Sequence, residues 1–471
     1  MTPRCDALAM PMIGASIALL VSIAPAAAQP SGSLGFQTTP TQFRALDQPP
    51  VWLMGLAARD RPISLREALS LAERQNLEGR RAAARTGIAQ QQLRESRFAW
   101  IPALAGSVGF GQTTGRVQGS FGDLSDVAFS SVAPFSRVAF GLNPASTWFE
   151  NAAASHRAVG AEADEQGVRR LVLVRVSELY HALAREQATV IVARDAVQNA
   201  QDLGRITDVL LRQGVGRGDD AERARTELAS TEQRLIEAER RRQLASIDLA
   251  AALDLDPLQT LVPADDLATS VAMMQPEEAP AALVGQALGA RPEIIAARQQ
   301  LEARRRDRSA AVGRVAGPTV EAFYQEGLTG DRVGDLAPLR RSGVAVTWNI
   351  SASGVQRVHT TAQLIEEASL ALAQAEQSVR VDVAGAWTNL QAALARLDRA
   401  RQARRSADAT LRISQVRFRN GTSLALEVLQ AQQALESVRL AEVAAFTDVA
   451  QAQVRLRAEL GPVSPADLSR P

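Results

Sequence analysis

The sequence has no lysine: all 52 basic residues among its 471 are arginine. A phosphate-binding P-loop needs a lysine to reach the terminal phosphates, and a Schiff-base enzyme needs its amine, so both are excluded. Cysteine occurs once, at Cys5, and the three histidines, His156, His181 and His359, are dispersed without metal-ligand spacing. Acidic residues, 51 of them, nearly cancel the arginines and are scattered among them, which leaves no basic field for nucleic acid. Long apolar runs are missing as well. After residue 28 the charge-free stretches, such as 98–115, are broken by Pro, Gly, Gln and Thr, and none reads as a transmembrane helix of about 18 or more apolar residues. No nucleophile, base and orienting group cluster by motif, so an enzyme is the least supported class and no cofactor is expected.

What is present falls into distinct blocks. Residues 1–28 read as an export signal: Arg4, an apolar run from Ile13 to Ile23, then Ala26-Ala27-Ala28 before Gln29. Cleavage there removes Cys5 and leaves a mature chain without thiols. Residues 29–62 are rich in Pro, Gln and Ser and are expected to be extended. Alanine, arginine, leucine, glutamate and glutamine dominate 63–100, 150–255 and 351–460, a composition of long helices and coiled coils. Aromatics are few, and twelve of nineteen lie in 98–149 and 318–350.

The chain is also internally repeated. Gln213-Gly214 matches Asn420-Gly421, Leu253 matches Leu460, and Tyr180-His181-Ala182-Leu183 matches Trp387-Thr388-Asn389-Leu390, all 207 residues apart. The expected organisation is a first repeat at 63–255, a connector at 256–280, a second repeat at 281–460 and a tail at 461–471. Each repeat reads helix, strand, strand, helix. In the first, a helix starts at an N-cap, Ser64, with Glu67 three residues on, and runs to Trp100, where Ile101-Pro102 stops it. Strand-like segments follow at 103–113 and 131–142, then 319–327 and 342–350 in the second copy. Long helices are expected at 145–212 and 352–419, with return helices ending near 254 and 460. In the last of these, Leu424, Val428, Ala431, Leu435, Val438, Ala445, Val449, Ala452 and Leu456 form a coiled-coil seam interrupted by Glu442.

Four strands cannot close a barrel in lipid, where open edges leave backbone groups unpaired. The chain must therefore contribute to a shared barrel, and three copies would give twelve strands around a water-filled tunnel. A helix of about 65 residues is roughly 100 Å long, over three times the hydrocarbon thickness of a bilayer, and must project into water.

Leu211-Arg-Gln-Gly-Val-Gly-Arg-Gly-Asp-Asp220 and Val416-Arg-Phe-Arg-Asn-Gly-Thr-Ser-Leu-Ala-Leu-Glu-Val-Leu-Gln430, each followed by heptads ending in Leu253-Asp254 and Leu460-Gly461, resemble the TolC family of outer-membrane efflux proteins. So do Ser64-Leu-Arg-Glu-Ala-Leu-Ser-Leu-Ala72 and Trp100-Ile-Pro-Ala-Leu104. The resemblance covers nearly the whole mature chain. It implies a mainly α chain with a membrane β-barrel portion: a homotrimer with a twelve-stranded barrel in outer-membrane lipid and a long coiled-coil α-helical tunnel in the periplasm. It further implies docking to a periplasmic adaptor and an inner-membrane pump, as the exit duct of a tripartite efflux or type I secretion system. The alternative is a periplasmic coiled-coil adaptor or structural protein.

The same resemblance selects residues. Gly214, Gly216, Gly218 and Gly421 permit reversal at the hairpin tips, which in this family constrict the tunnel and contact the adaptor. Phe418 falls where the family usually has tyrosine, and lacks its hydroxyl. Glu427 occupies an acidic ring position, while the family's second acidic position is Gln430 here. Asp219 and Asp220 either supply the missing charge or favour the positive N-terminus of the return helix. Phe110, Phe135, Phe140, Trp148, Phe323, Tyr324 and Trp348 suit the lipid face or interfacial girdles of a barrel.

Overall fold

The computed structural model describes residues 60–118, 121–214, 217–265, 279–420 and 422–468. The export signal, nearly all of the extended segment, much of the connector, Gly216 and Gly421 lie outside the described residues. A short strand β1 (Arg61–Ile63) leads into helix α1 (Leu65–Gln75), which starts where the cap signal placed it: Ser64 Oγ accepts from the Glu67 N–H at 3.2 Å. The reciprocal half of the capping box is absent. Glu67 turns to Arg61 at 2.9 Å, and Asp265 Oδ2 accepts from the Leu65 N–H at 2.7 Å.

The single helix expected over 64–100 is two. Asn76, with ψ of 128°, ends α1, and its Oδ1 accepts from the N–H groups of Glu78 and Gly79 to cap α2 (Leu77–Phe98). Its Nδ2 donates to the Ala252 carbonyl at 2.9 Å, a tertiary bond that no local pattern reports. An asparagine side chain that satisfies orphan helix N–H groups competes with helix continuation.

Strands β2 (Ala103–Gln118) and β3 (Leu124–Leu142) follow, longer than expected because cross-strand pairing carries both through the polar stretch that reads as a loop. Helix α3 (Pro144–Arg212) comes next, then α4 (Gly218–Ala252), and β4 (Leu261–Pro263) pairs in parallel with β1. The second repeat gives α5 (Pro280–Ala290), α6 (Pro292–Ala316), β5 (Thr319–Thr329), β6 (Ala337–Thr347), α7 (Ala352–Arg419) and α8 (Ala425–Glu459), and α9 (Pro465–Leu468) ends the described chain. Strands β2-β3-β5-β6 make one antiparallel sheet with two open edges.

The helical part follows a simple rule: one long helix spans the length of each repeat, and two shorter stretches share its flank. The 69 residues of α3 extend about 100 Å. Its first half packs on α2 and α6, its second on α4 and α8. The approach to α6 is close because small side chains meet: a Cβ added at Gly313 would lie 3.0 Å from the Ala145 Cβ. The repeat seen in sequence is also a repeat of burial. Val176 and Val383, Leu183 and Leu390, and Leu249 and Leu456 are all buried, in two parallel cores where the elements of each repeat meet.

The α8 seam is buried from Val428 to Leu456 apart from the half-buried Val438, while Leu424 stands 50% exposed as the N-cap residue rather than a seam position. The interrupting Glu442 is buried against Arg404 at 2.9 Å, so the seam accommodates it as an ion pair.

Candidate functional site

The two hairpin tips follow from helix-ending chemistry. At the end of α3 the Gln213 N–H bonds to Val209 O at 3.1 Å and the Gly214 N–H to Leu211 O at 3.1 Å, with Gly214 at φ +73°, a conformation that side chains resist. At the end of α7 the Thr422 N–H and Oγ1 both bond to Arg417 O at 2.9 Å. Gly218 opens α4, and a Cβ added there would meet nothing within 4 Å.

Glu427 sits exposed in the first turn of α8, on the same side as the exposed Gln430, while Val428 and Leu429 between them are buried. Its Oε2 is 3.9 Å from Arg417 Nη1, so the carboxylate is partly balanced within its own hairpin. Asp219 opens the other return helix, 3.2 Å from Arg217 Nε and 3.7 Å from Arg223 Nη2. Partial desolvation pushes its carboxyl up, but the hydrogen bond from Arg217 and the charges of Arg217 and Arg223 outweigh this and hold it below the usual carboxylate range. Asp220, beside it, is half-buried.

Phe418, which the family resemblance groups with the hairpin tip that meets the adaptor, is 9% exposed in the single chain. It packs with Leu411, Val428, Leu429, Leu203 and Ala224, residues of both hairpins, because a ring without a hydroxyl gains most by leaving water. Sequence reasoning also missed Arg234 on α4. Its guanidinium takes Glu436 of α8 in two hydrogen bonds of 3.1 and 3.0 Å, and Glu227, one heptad earlier on its own helix, at 3.0 Å. This clasp ties the hairpins of the two repeats together. Its only sequence signal is the heptad spacing of Glu227 and Arg234.

At the other end, the register divides the aromatics. Leu104, Phe110, Val138, Phe140, Tyr324 and Val344 share one face of the sheet. Phe135 and Phe323, expected beside them, lie on the opposite face with Ser107, Gln325 and Arg341, and Arg137 stacks 4.7 Å above the Phe323 ring. The reason is the two-residue period: odd and even positions cannot share a face. Trp148 and Trp348 are outside the strands, 68% and 61% exposed near the join with the helices.

Among the described residues no helix is long and apolar enough to cross a membrane. A four-stranded sheet with one mostly apolar face, interrupted by the Glu326–Arg340 pair, set on a helical shaft about 100 Å long, defines a membrane-channel subunit of the barrel-and-tunnel class. The profile of the outer membrane efflux protein family matches residues 68–254 and 283–462, one segment per repeat, and the chain belongs to that family. It is thus an outer-membrane efflux channel with its helices in the periplasm, and not an enzyme.

Solved structures agree in fold. The open-state MtrE outer membrane channel of Neisseria gonorrhoeae matches with a TM-score of 0.73 and 20% identity, over 85% of this chain and 90% of its own. The CmeC outer membrane channel of Campylobacter jejuni gives 0.74 and 16%, over 84% and 85%. The outer membrane protein VceC of Vibrio cholerae gives 0.71 and 19%, over 84% and 96%. No curated protein sequence matches.

Proposed function

We propose that three copies of this chain close one pore and serve as the passive exit duct of a tripartite efflux or type I secretion system, receiving cargo from a periplasmic adaptor and an inner-membrane pump. The observation that carries this reading is a break in the same place at both ends of the chain. Within a copy, β3 pairs with β5 of the next repeat and α3 packs on α6 of the next repeat. The equivalent neighbours for β6 and α7 would be β2 and α2 of another copy. Both are unfilled flanks here: β2 is an open edge, and α2 buries only Ala82 and Thr86. A heterologous interface of this kind closes into a ring when the rotation between copies completes a turn, here after three. The periplasmic adaptor alternative leaves the apolar sheet face unexplained. Outer-membrane fractionation, followed by single-channel recording of the purified oligomer in planar bilayers, tests the duct: recovery as a soluble periplasmic monomer without conductance would sink it.

In this reading Glu427, with Asp219 and Asp220, lies at the periplasmic constriction, and Gly214, Gly216, Gly218 and Gly421 shape the tips that meet the adaptor. Three copies of an exposed carboxylate around a narrow aperture favour cations. Glu427→Ala is expected to lower cation selectivity or divalent-cation block, and unchanged bilayer behaviour would remove Glu427 from the aperture. Arg234→Ala is expected to cost about 1–2 kcal/mol, since the arginine is 40% exposed but its loss leaves Glu227 and Glu436, each 14% exposed, without it. By freeing the two hairpins from each other it should raise the resting conductance of the channel, and a conductance equal to wild type would separate the clasp from the gate.

A further inference from the structure

The two strand hairpins differ in length. β5 and β6 have 11 residues each, whereas β2 has 16 and β3 has 19. Among the described residues, the last contact of β3 with the second hairpin is the bridge from Val132 to Gly330, so 111–118 and 124–131 stand beyond it as a two-stranded ribbon. At about 3.3 Å per residue, its eight or so free pairs reach roughly 25–30 Å past the shared sheet.

Along this ribbon the even face loses most of its apolar character. In the shared sheet the even-numbered positions of β2 and β3 are the apolar ones, including Leu104, Phe110 and Phe140. In the ribbon the even face becomes polar, with Gln112, Thr114 and a cross-strand pair, Arg116 Nε to Asp126 Oδ1 at 3.3 Å. Val117, Val127 and Phe129 lie together on the odd face, while Leu124 and Ala128 are the apolar positions left on the even one, and Phe129 is 51% exposed. An even face turned to lipid in the barrel puts the odd face of the same strands toward the pore.

The backbone permits bending in that direction. Gly111 and Gly115 are both on the odd face of β2, and Gly115 takes φ +131° opposite Val127, a conformation reserved for glycine. A Cβ at Gly111 would lie 2.9 Å from Ser131 Oγ. At the root of the ribbon, Pro134 has no N–H to donate to a neighbour.

We propose that the ribbons of the assembled channel curl inward and join their Val117, Val127 and Phe129 faces around the pore axis, making an apolar gate at the outer mouth. The occupant of each ribbon's apolar face is the same face of the other copies. The inference rests on the reading that copies of the chain close one barrel. That closure sets the ribbons around a single axis, and their free length exceeds the roughly 15 Å radius of a twelve-stranded barrel. Hydrophobic constrictions of this kind gate by excluding water.

The test uses the full-length oligomer. Phe129→Ser should raise single-channel conductance by at least about twofold, since a polar ring rewets the constriction. Conductance equal to wild type in a variant that still runs as the oligomer overturns the gate. Should Phe129→Ser fail to assemble, Val127→Cys decides. Covalent dimers on oxidation, with conductance lost and then restored by a reductant, support the gate. No dimers despite a thiol that reacts with maleimide overturns it, as does a thiol shielded only when lipopolysaccharide is present, which would seat the face on lipid instead. A wild-type chain that forms no oligomer and conducts no ions overturns the closed-barrel reading itself, and is distinguishable from either result above.

Discussion

Arg170→Ala is expected to destabilise the folded chain by about 3 kcal/mol, because it removes the buried cation shared by the half-buried Glu293 and Glu459 and leaves Arg291 alone facing both. The Arg170 side chain is 4% exposed in the middle of α3, with Nη2 2.5 Å from Glu293 Oε1 and Nη1 3.3 Å from Glu459 Oε2. Arg291, equally buried, also binds Glu459 and reaches Asp382 at 3.3 Å. The network thus joins α3 of the first repeat to α6, α7 and the end of α8 in the second. Burial pushes the Glu293 carboxyl up, but the charges of Arg170 and Arg291, the hydrogen bond from Arg170 and one from its own backbone N–H together outweigh this and hold the group below its ordinary value.

A carboxyl with a lowered folded-state pKa adds stability above its ordinary range that is lost as the pH falls through the folded value. Thermal unfolding in detergent checks the substitution: Arg170→Ala should lower Tm sharply, while Arg170→Met combined with Glu293→Met should recover much of the loss, since apolar replacement of a buried pair is often nearly neutral. An unchanged Tm for Arg170→Ala would show that the network does not hold the repeats together.

The second large effect is acid sensitivity. His181 is 2% exposed, its Nδ1 is buried without a hydrogen-bond partner, and burial lowers its pKa to about 4 from 6.5, with the nearby Asp265 opposing only in part. The unfolded chain therefore binds a proton at pH values where the folded one does not. The stability from keeping the ring neutral is complete above pH 6.5 and is lost progressively from there down to about pH 4, a change of about 3 kcal/mol.

The groups that face this region are Asp265 and Tyr180, whose hydroxyl donates to Asp265 Oδ2 at 2.7 Å. Burial, together with that carboxylate, pushes the phenol up, so it stays protonated throughout this window. Tm measured between pH 7.5 and 4.5 should fall steeply for wild type and less for His181→Leu, and parallel curves would exclude this histidine as the cause.

Much of the architecture was legible in the sequence, and the reason lies in where each signal comes from. The 207-residue repeat, the long helices and the α8 seam are written as periodic burial along single elements, so Val428, Leu435 and Leu456 disclosed their neighbours by spacing alone. Asn76 was hidden because one of its partners, the Ala252 carbonyl, is 176 residues away. Phe418 was hidden because its choice between solvent and core depends on Leu203 and Ala224, which belong to the other hairpin. The lengths of β2 and β3 escaped because Gly, Gln and Thr have little intrinsic strand preference and extend only when a partner strand supplies their hydrogen bonds.

By itself the sequence determined the order of the main elements, the duplication and, among the described residues, the lack of a helix apolar enough to cross a membrane, since these depend on local composition and period, and through its motifs the family. Only the tertiary structure decided which face of each strand Phe135 and Phe323 occupy, which arginines are buried between repeats, and where the sheet and shaft are left open for another copy. Register, ion pairing and unfilled edges are relations between residues far apart in the chain, and nothing in a local stretch fixes a relation to a partner it does not contain.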